Sequence, residues 1–262
     1  MIVGSVIGNM KRLGKFYTLE LVYYLYSFVK KDVSNQTRVV IFGQGRTGST
    51  LLESLLCSTG YFKGCGEVFN VSKGEVLHPV RYLRGLSKKN VSRDIIFHVK
   101  IYQLTKNRKR PVDPEELLKH LIDDGWSVIY LQRKNKVKQA LSSIVAEHRG
   151  AYHRHEDKES QFSLTVDCED LIRRVNNRIA YEKAEHQALA DIKYHKVIYE
   201  DDLENAEAQQ KTIDGVLDYL SLDRQKVSTK HRKVVTQLPE EMIVNYDDFN
   251  ACLIAQGWQD LI

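Results

Sequence analysis

The sequence has little proline, cysteine and tryptophan, with four, four and two of them in a chain of 262 residues. No stretch is therefore expected to act as a Pro-rich linker, and no internal repeat or low-complexity tract indicates a repeat protein. The composition, 42% hydrophobic and 28% charged, is that of an ordinary globular protein. The length suits one large α/β domain or two small ones. The formal net charge of +5 favours an anionic ligand without requiring nucleic acid.

The four cysteines follow no recognisable pattern. Cys57, Cys65, Cys168 and Cys252 contain no C-x-x-C pair, so neither a metal site nor a redox motif is indicated. A disulfide between Cys57 and Cys65 could form, but nothing in the pattern favours it. We expect scattered reduced thiols in a reducing compartment.

The sequence also lacks a hydrophobic run long enough to cross a membrane. The best candidate, "LELVYYLYSFV" (19–29), has eleven residues and contains Glu20, whereas a span needs about 20 apolar residues. The first residues do not resemble a signal peptide, because their charges follow the apolar stretch. Residues 1–38 carry six basic residues against two acidic ones. We expect 1–37 to form a helical appendage packed on a domain spanning 38–262. The alternative is that its basic and aromatic side chains contact an anionic membrane surface.

Four short apolar runs predict the strands of a sheet. Their nearly continuous hydrophobicity is typical of strands covered on both faces. They are "RVVIF" (38–42), "DIIFHVKIY" (94–102), "WSVIYLQ" (126–132) and "HKVIYE" (195–200). Helical patterns lie between them; in "DPEELLKHLIDDG", Asp113 is the expected N-cap and Gly125 the stop. Strands alternating with helices predict an α/β fold in one domain, with a parallel sheet flanked by helices on both faces.

A glycine-rich turn lies between the first predicted strand and the next helix. The segment "GQGRTGST" (43–50) nearly matches the nucleoside-triphosphate loop G-x-x-x-x-G-K-[ST], but Ser49 stands where the lysine belongs. The N–H groups of such a P-loop-type turn and the helix dipole attract an anion. Without that lysine or a convincing acidic metal ligand, a shorter anion and no metal suit it better than a triphosphate. The alternative is a turn that serves packing alone. The residues expected to bind are Gly45, Arg46, Thr47, Gly48, Ser49 and Thr50.

A second basic site is predicted after the run 126–132. In "YLQRKNKVKQALSS" (130–143), Arg133 ends the strand and Ser142 follows nine residues later, inside the next helix. The carboxyl ends of parallel strands lie on one edge of a sheet, so Arg133 and Ser142 could hold a second phosphate at a distance from the first loop. The choice between Ser142 and Ser143 stays open. The alternative is a solvated arginine and an ordinary helix serine.

Together these two motifs resemble the sulfotransferases that use 3′-phosphoadenosine-5′-phosphosulfate (PAPS), above all the bacterial carbohydrate branch that modifies nodulation factors and glycolipids. Three further segments resemble that branch: "GCGEVFN" (64–70), "VIYEDDL" (197–203) and "TQLPEEMIVNYDDF" (236–249). The sequence departs from the better-known cytosolic enzymes, in which the loop carries a lysine and the Arg-to-Ser spacing is one residue shorter.

The resemblance implies that PAPS is the co-substrate, with its 5′-phosphosulfate on the first loop and its 3′-phosphate on the second basic site, and that no metal is needed. It implies that Glu67 accepts the proton of the acceptor hydroxyl, whereas a solvated turn glutamate is the structural alternative. His98 is the alternative base, because the cytosolic branch uses a histidine near this strand. Lys100 points to the same face as His98 and could stabilise the bridging oxygen. Arg46 would offset charge on the leaving group.

The implied function is in-line transfer of a sulfuryl group to a hydroxyl of a carbohydrate, such as a glycolipid or polysaccharide precursor. Two other classes stay open: a nucleotide-dependent kinase with a degenerate loop, and a non-catalytic module that binds a nucleotide or a sulfated glycan. We expect a bacterial cytoplasmic enzyme, because animal enzymes of the secretory pathway usually carry a membrane anchor that this sequence does not show. Any membrane contact would be peripheral, through the N-terminus, and no nucleic-acid partner is expected.

Several other polar residues have weaker signals. The stretch 147–162, which contains three histidines, could cover the acceptor, and a metal site there is the less favoured alternative. Arg232 and Lys233 could close over the 3′-phosphate, although an exposed charged loop is the simpler interpretation. Tyr199 and Glu200 are expected to be structural.

Overall fold

The fold is organised around a five-stranded, all-parallel sheet. The computed structural model describes residues 2–31, 33–72, 74–148, 162–229 and 237–262, with the backbone alone for 2–13. The strands are β1 Arg38–Gly43, β2 Phe62–Glu67, β3 Asp94–Lys100, β4 Trp126–Gln132 and β5 Tyr194–Ile198. Their order is β2-β3-β1-β4-β5, and every pairing is parallel. The predicted parallel sheet is confirmed.

Helices cover both faces of this sheet, as the sequence predicts. The α-helices among the described residues are α1 Ile2–Phe28, α2 Ser49–Ser58, α3 Pro79–Lys89, α4 Ile101–Leu104, α5 Pro114–Asp123, α6 Lys136–His148, α7 Cys168–Ala188, α8 Ala206–Tyr219, α9 Pro239–Met242 and α10 Tyr246–Gln256. A π-helical turn, Tyr199–Leu203, follows β5, and a 3-10 turn, Gln259–Leu261, follows α10. Apolar residues of α2 and α8 pack against one face, and those of α3, α5 and α7 against the other. A third apolar cluster joins α6, α7 and α10.

Strand β2 is absent from the strands predicted by hydrophobicity. Its sequence "FKGCGE" contains two glycines, and Phe62 is its one buried residue. It lies at the edge of the sheet, and its register with β3 shifts between Gly64 and Glu67. An edge strand of this kind buries too little apolar surface to leave a hydrophobic pattern. β3 is also shorter than predicted, because Ile101 begins α4.

Helix α1 packs along α3. The rings of Tyr23 and Tyr82 meet edge to face, 4.8 Å apart, and Lys88 Nζ donates to the Ser27 carbonyl at 2.6 Å. A Cβ on Gly85 would overlap the backbone of Tyr23, so this glycine allows the two helices to approach closely. Among the described residues, no helix is both long and apolar enough to cross a membrane.

The expectation of four reduced cysteines is wrong for two of them. Cys168, at the start of α7, is disulfide-bonded to Cys252 in α10, whereas Cys57 and Cys65 are free. The partners are 84 residues apart in sequence, a separation without any signature, and they meet because α7 and α10 share one apolar cluster. Disulfides are typical of oxidising compartments, so cysteine usage gives no support to a cytoplasmic location.

Candidate active site

The glycine-rich loop lies at the carboxyl edge of the sheet, between the central strand β1 and helix α2. β1 pairs with β3 on one side and β4 on the other. The last residues of these neighbours, Lys100 and Gln132, are followed by segments that flank the loop. The chain order therefore gathers the candidate residues at the edge where ligands of open α/β sheets bind.

Two residues of the loop adopt the left-handed conformation, Arg46 with φ 65° and Gly48 with φ 90°. This conformation is uncommon for a residue with a side chain, and such strain tends to occur at functional sites. A Cβ on Gly48 would also lie 2.8 Å from Tyr199 Cδ2, and one on Gly45 would overlap the hydroxyl of Tyr102. These two glycines are therefore required by the path of the loop.

Polar side chains beneath the loop hold its backbone in place. The Thr47 hydroxyl donates to the Gln44 carbonyl at 2.8 Å, and Gln139 Nε2 donates to the Gly45 carbonyl at 2.8 Å. Gln44 Nε2 in turn donates to the Arg178 carbonyl at 3.0 Å. The Thr47 side chain is thus engaged inside the loop, which leaves its backbone N–H as the group that could face a ligand.

A buried glutamate lies under this network, and sequence reasoning missed it. Glu185 of α7 is 1% exposed. Its Oε2 accepts hydrogen bonds from Gln44 Nε2 at 3.3 Å and from the Tyr130 hydroxyl at 3.2 Å, while Oε1 has no partner. Burial raises the pKa of Glu185 to about 8, although the two hydrogen bonds oppose the shift. The carboxyl is therefore mostly protonated at neutral pH.

The two predicted phosphate motifs meet through side chains. Arg46 Nε donates to the Ser142 hydroxyl of α6 at 3.0 Å. The neighbouring Ser143 points elsewhere: its hydroxyl donates to the Gln139 carbonyl at 3.3 Å and accepts from Arg178 Nη2 at 2.7 Å. Of the two serines that the sequence left open, Ser142 contacts the loop and Ser143 joins α6 to α7.

Arg133 is held against the loop from three sides. Its Nη1 donates to the Arg46 carbonyl at 3.1 Å, and its guanidinium lies 4.7 Å above the Tyr199 ring. Its buried Nε is 3.6 Å from Glu200 Oε1, too far for a hydrogen bond. Burial lowers the pKa of Arg133, with Tyr199 and Glu200 opposing the shift, but an arginine stays charged. Tyr199 and Glu200 thus orient this cation.

Glu67, the proposed base, is at the end of β2 in a cluster of donors. Its carboxylate accepts from Lys100 Nζ, from Gln103 Nε2 at 2.7 Å and from Asn70 Nδ2 at 3.1 Å. Burial by itself raises the pKa of Glu67, but the charge and hydrogen bond of Lys100, helped by His98 and Gln103, outweigh burial and lower it. Glu67 is therefore ionised at neutral pH, the state in which a base can accept a proton.

Lys100 connects Glu67 with the loop. Its Cδ and Cε atoms lie 3.7 Å from the position that a Cβ on Gly45 would occupy. With Ser49 and His98 it borders a small cleft beside the loop. Tyr102, two residues further on, was also missed from sequence. Its hydroxyl lies against the Gly45 backbone and Arg178, and burial above all raises its pKa to about 12.

His98, the alternative base, lies deeper than Glu67. Its ring is buried between β3 and α2, with Nε2 3.1 Å from Glu53 Oε2 and Nδ1 buried without a hydrogen-bond partner. Glu53 Oε1 accepts the Gly66 N–H at 3.1 Å. Because Glu53 lies on α2, Gly66 on β2 and His98 on β3, these contacts connect the three elements. This arrangement fits a structural role for His98.

Some predicted residues fall outside the description. His153, His155, Arg232 and Lys233 lie in segments that the structure does not describe. His148 is the last residue of α6, and its ring centroid is 6.3 Å from that of Phe162. Within the described part of the chain, no group of three or more His, Cys, Asp or Glu side chains is arranged to hold a metal ion.

Comparison with known proteins gives only structural likenesses. No protein-family model matches the sequence, and no curated protein matches it. A sulfotransferase from Alicyclobacillus acidocaldarius matches 86% of this chain and 94% of its own, with 11% identity and a TM-score of 0.47. The sulfotransferase domain of the Synechococcus PCC 7002 olefin synthase matches 84% of this chain and 86% of its own, with 14% identity and a TM-score of 0.43. Function must therefore be inferred from the side chains of the site.

Proposed function

We propose that this protein is a sulfotransferase that transfers the sulfuryl group of PAPS to a carbohydrate hydroxyl. The observation that carries the proposal is the contact between Arg46 and Ser142, 3.0 Å from Nε to Oγ. It joins the glycine-rich loop to the second basic site, and Arg133 donates to the loop at the same place. A ligand with two separate anionic groups suits such an arrangement.

The donor fits the residues present. The loop N–H groups, Arg46, Ser49 and Thr50 would hold the 5′-phosphosulfate at the start of α2. Arg133 and Ser142 would hold the 3′-phosphate, with Arg133 oriented by Tyr199 and Glu200 and able to offer its guanidinium to an anion. The lysine of triphosphate loops is not needed, because PAPS has no γ-phosphate.

The reaction would need positioning, charge stabilisation and a base. In PAPS the sulfuryl group is attached to the 5′-phosphate, which is the leaving group. The bond between sulfur and the phosphate oxygen breaks while a bond between sulfur and the acceptor oxygen forms. Glu67 would take the hydroxyl proton. In the structure Lys100 is paired with Glu67 and is the main group that lowers its pKa. If Lys100 moved to the bridging oxygen, the pKa of Glu67 would rise and Glu67 would become a stronger base.

The carbohydrate class of the acceptor is supported by the resemblance of 64–70 to the carbohydrate branch. Which sugar and which hydroxyl would be modified are questions for an acceptor screen with sulfur-labelled PAPS.

A thermal-shift titration with 3′,5′-adenosine bisphosphate, 5′-AMP and ATP, each with and without Mg²⁺, tests the proposal. A ligand of the folded state at 100 times its Kd stabilises by about 2.7 kcal/mol, a shift of a few degrees. We expect the bisphosphate to stabilise without Mg²⁺ and 5′-AMP to stabilise much less. Stabilisation by ATP with Mg²⁺ alone would instead indicate a kinase, and bisphosphate binding without turnover on any acceptor would indicate a binding module.

A further inference from the structure

One face of α1 exposes a continuous row of large apolar side chains. We define the outer stripe as Tyr17, Leu21, Leu25 and Phe28, which are 45%, 57%, 60% and 70% exposed. Their spacing of four, four and three residues places them within one arc of the helix. Scattered exposed apolar residues are ordinary, but a contiguous row indicates an interaction surface.

The opposite arc of α1 is fixed to the protein. Tyr23 packs on Tyr82, and Ser27 accepts a hydrogen bond from Lys88. The orientation of the helix is thus set by its packing on α3, and the outer stripe faces away from that contact. The exposed arc is therefore a property of the folded chain.

The single acidic residue of α1 is turned inward. Glu20 is 3% exposed, and its carboxylate accepts hydrogen bonds from the Leu77 N–H at 2.7 Å and from the Tyr24 hydroxyl. A membrane-facing helix with an exposed carboxylate would be repelled by anionic lipid. Burial of Glu20 removes that repulsion from the outer face.

Basic side chains border the outer stripe. Lys15, within α1, and Lys30 and Lys31, just after its last residue, are exposed. The Arg81 guanidinium lies 5.2 Å above the Phe28 ring, so a cation directly adjoins the most exposed member of the stripe. Of the other basic residues of α3, Arg84 is paired with Asp124 and Lys88 is bound to the Ser27 carbonyl, so Arg81 is the residue of α3 that adjoins the stripe.

We propose that the outer stripe and its basic border bind the surface of an anionic lipid bilayer. The apolar row would enter the boundary between headgroups and acyl chains while the lysines and Arg81 contact anionic headgroups. No described helix could span the bilayer, so the association would be peripheral. A second copy of the chain fits less well, because a two-fold contact through this face would bring two basic borders together.

The test is co-sedimentation of the full chain with phosphatidylcholine vesicles that contain or lack phosphatidylglycerol. We expect binding to the anionic vesicles alone, weakened by added salt. The double variant Leu21→Ser/Leu25→Ser should lower the partition coefficient at least about tenfold, since two large apolar side chains no longer enter the bilayer. Lys30→Glu/Lys31→Glu should weaken binding to anionic vesicles as well.

The matched control is Val244→Ser/Ile254→Ser, which changes two comparably exposed apolar residues near α10. It should bind vesicles like the unchanged protein.

The proposal is overturned if the unchanged protein does not bind anionic vesicles, if the stripe variant binds them equally well, or if the control loses binding equally. A concentration-dependent dimer in light scattering that the stripe variant abolishes would show that a second copy covers the stripe. The bisphosphate thermal shift of the stripe variant, expected to be unchanged, separates this inference from the proposed function.

Discussion

Arg46 and Ser142, 96 residues apart in sequence, are joined by a hydrogen bond of 3.0 Å from Nε to Oγ. Arg46 lies in the loop before α2 and has a left-handed backbone conformation, whereas Ser142 lies in α6. Because Arg133 also donates to the Arg46 carbonyl, one loop residue contacts both members of the second basic site. Substitution of Arg46, Ser142 or Arg133 should therefore weaken anion binding.

Replacing each of the adjacent serines by alanine should give opposite results. Ser142→Ala should weaken binding of 3′,5′-adenosine bisphosphate by roughly tenfold, the scale of one hydrogen bond to a charged group, and leave the melting temperature almost unchanged. Ser143→Ala should spare the affinity and lower stability by about 1 kcal/mol, because Arg178 loses its acceptor. Calorimetric titration and thermal melts of both variants check this, and equal losses of affinity would refute the assignment of Ser142.

Arg133→Ala should discriminate between nucleotides. If Arg133 holds the 3′-phosphate, the variant should lose most of its preference for the bisphosphate over 5′-AMP, while its weaker affinity for 5′-AMP changes little. Lys134→Ala is the matched control, since Lys134 is exposed and pairs with Asp201 at 2.5 Å. A Lys134 variant with the same loss would show that the effect comes from general charge and not from a specific contact.

The sheet could be predicted because its inner strands are nearly continuous apolar runs. The start of α5 could also be predicted, because Asp113 stands before Pro114 at the N-cap position. Its side chain accepts hydrogen bonds from the N–H groups of Glu115 and Glu116. β2 could not be predicted, because an edge strand containing Gly64 and Gly66 has neither burial nor alternation to reveal it.

Glu67→Gln tests the base. If Glu67 acts on the acceptor hydroxyl as proposed, the variant should keep its affinity for the bisphosphate and lose about 10²–10⁴-fold in kcat, the usual range for a general base. Glu207→Gln, on the exposed start of α8, controls for the change of charge. Turnover by the Glu67 variant at the unchanged rate would remove Glu67 from the mechanism and return attention to His98.

Lys100→Met should change the pH dependence of kcat/KM. Burial raises the pKa of Glu67 and Lys100 is the main group that lowers it, so the pKa should rise in the variant. A base works only when ionised, and activity falls as pH drops through its pKa. The acidic limb should therefore move to higher pH. Lys196→Met, an exposed site on β5, should leave the limb in place; an unmoved limb in the Lys100 variant would contradict the coupling.

The groups that support the site were harder to foresee than the loop itself. Tyr102 and Glu185 stand in ordinary strand-end and helical contexts, and only the packing of α4 and α7 on the loop gives them a role. The Cys168–Cys252 bond likewise depends on how α10 meets α7. Sequence patterns report on neighbours along the chain, whereas these contacts join segments that are distant in it.

Glu185→Gln should change how stability depends on pH. The folded-state pKa of Glu185 is about 8, above the unfolded value of about 4.3. Between these values the folded state binds a proton that the unfolded state has lost. The free energy of unfolding should then fall as pH rises, by up to about 1.4 kcal/mol per pH unit. The stability that the Glu185 proton contributes is fully present below the unfolded pKa and is lost as pH rises through the folded pKa.

Glutamine does not titrate, so urea melts at pH 5.5 and pH 8 should show a smaller decrease in the free energy of unfolding for the variant than for the unchanged protein. Glu207→Gln should retain the full decrease, and identical slopes for all three proteins would mean that Glu185 does not hold its proton in the folded state.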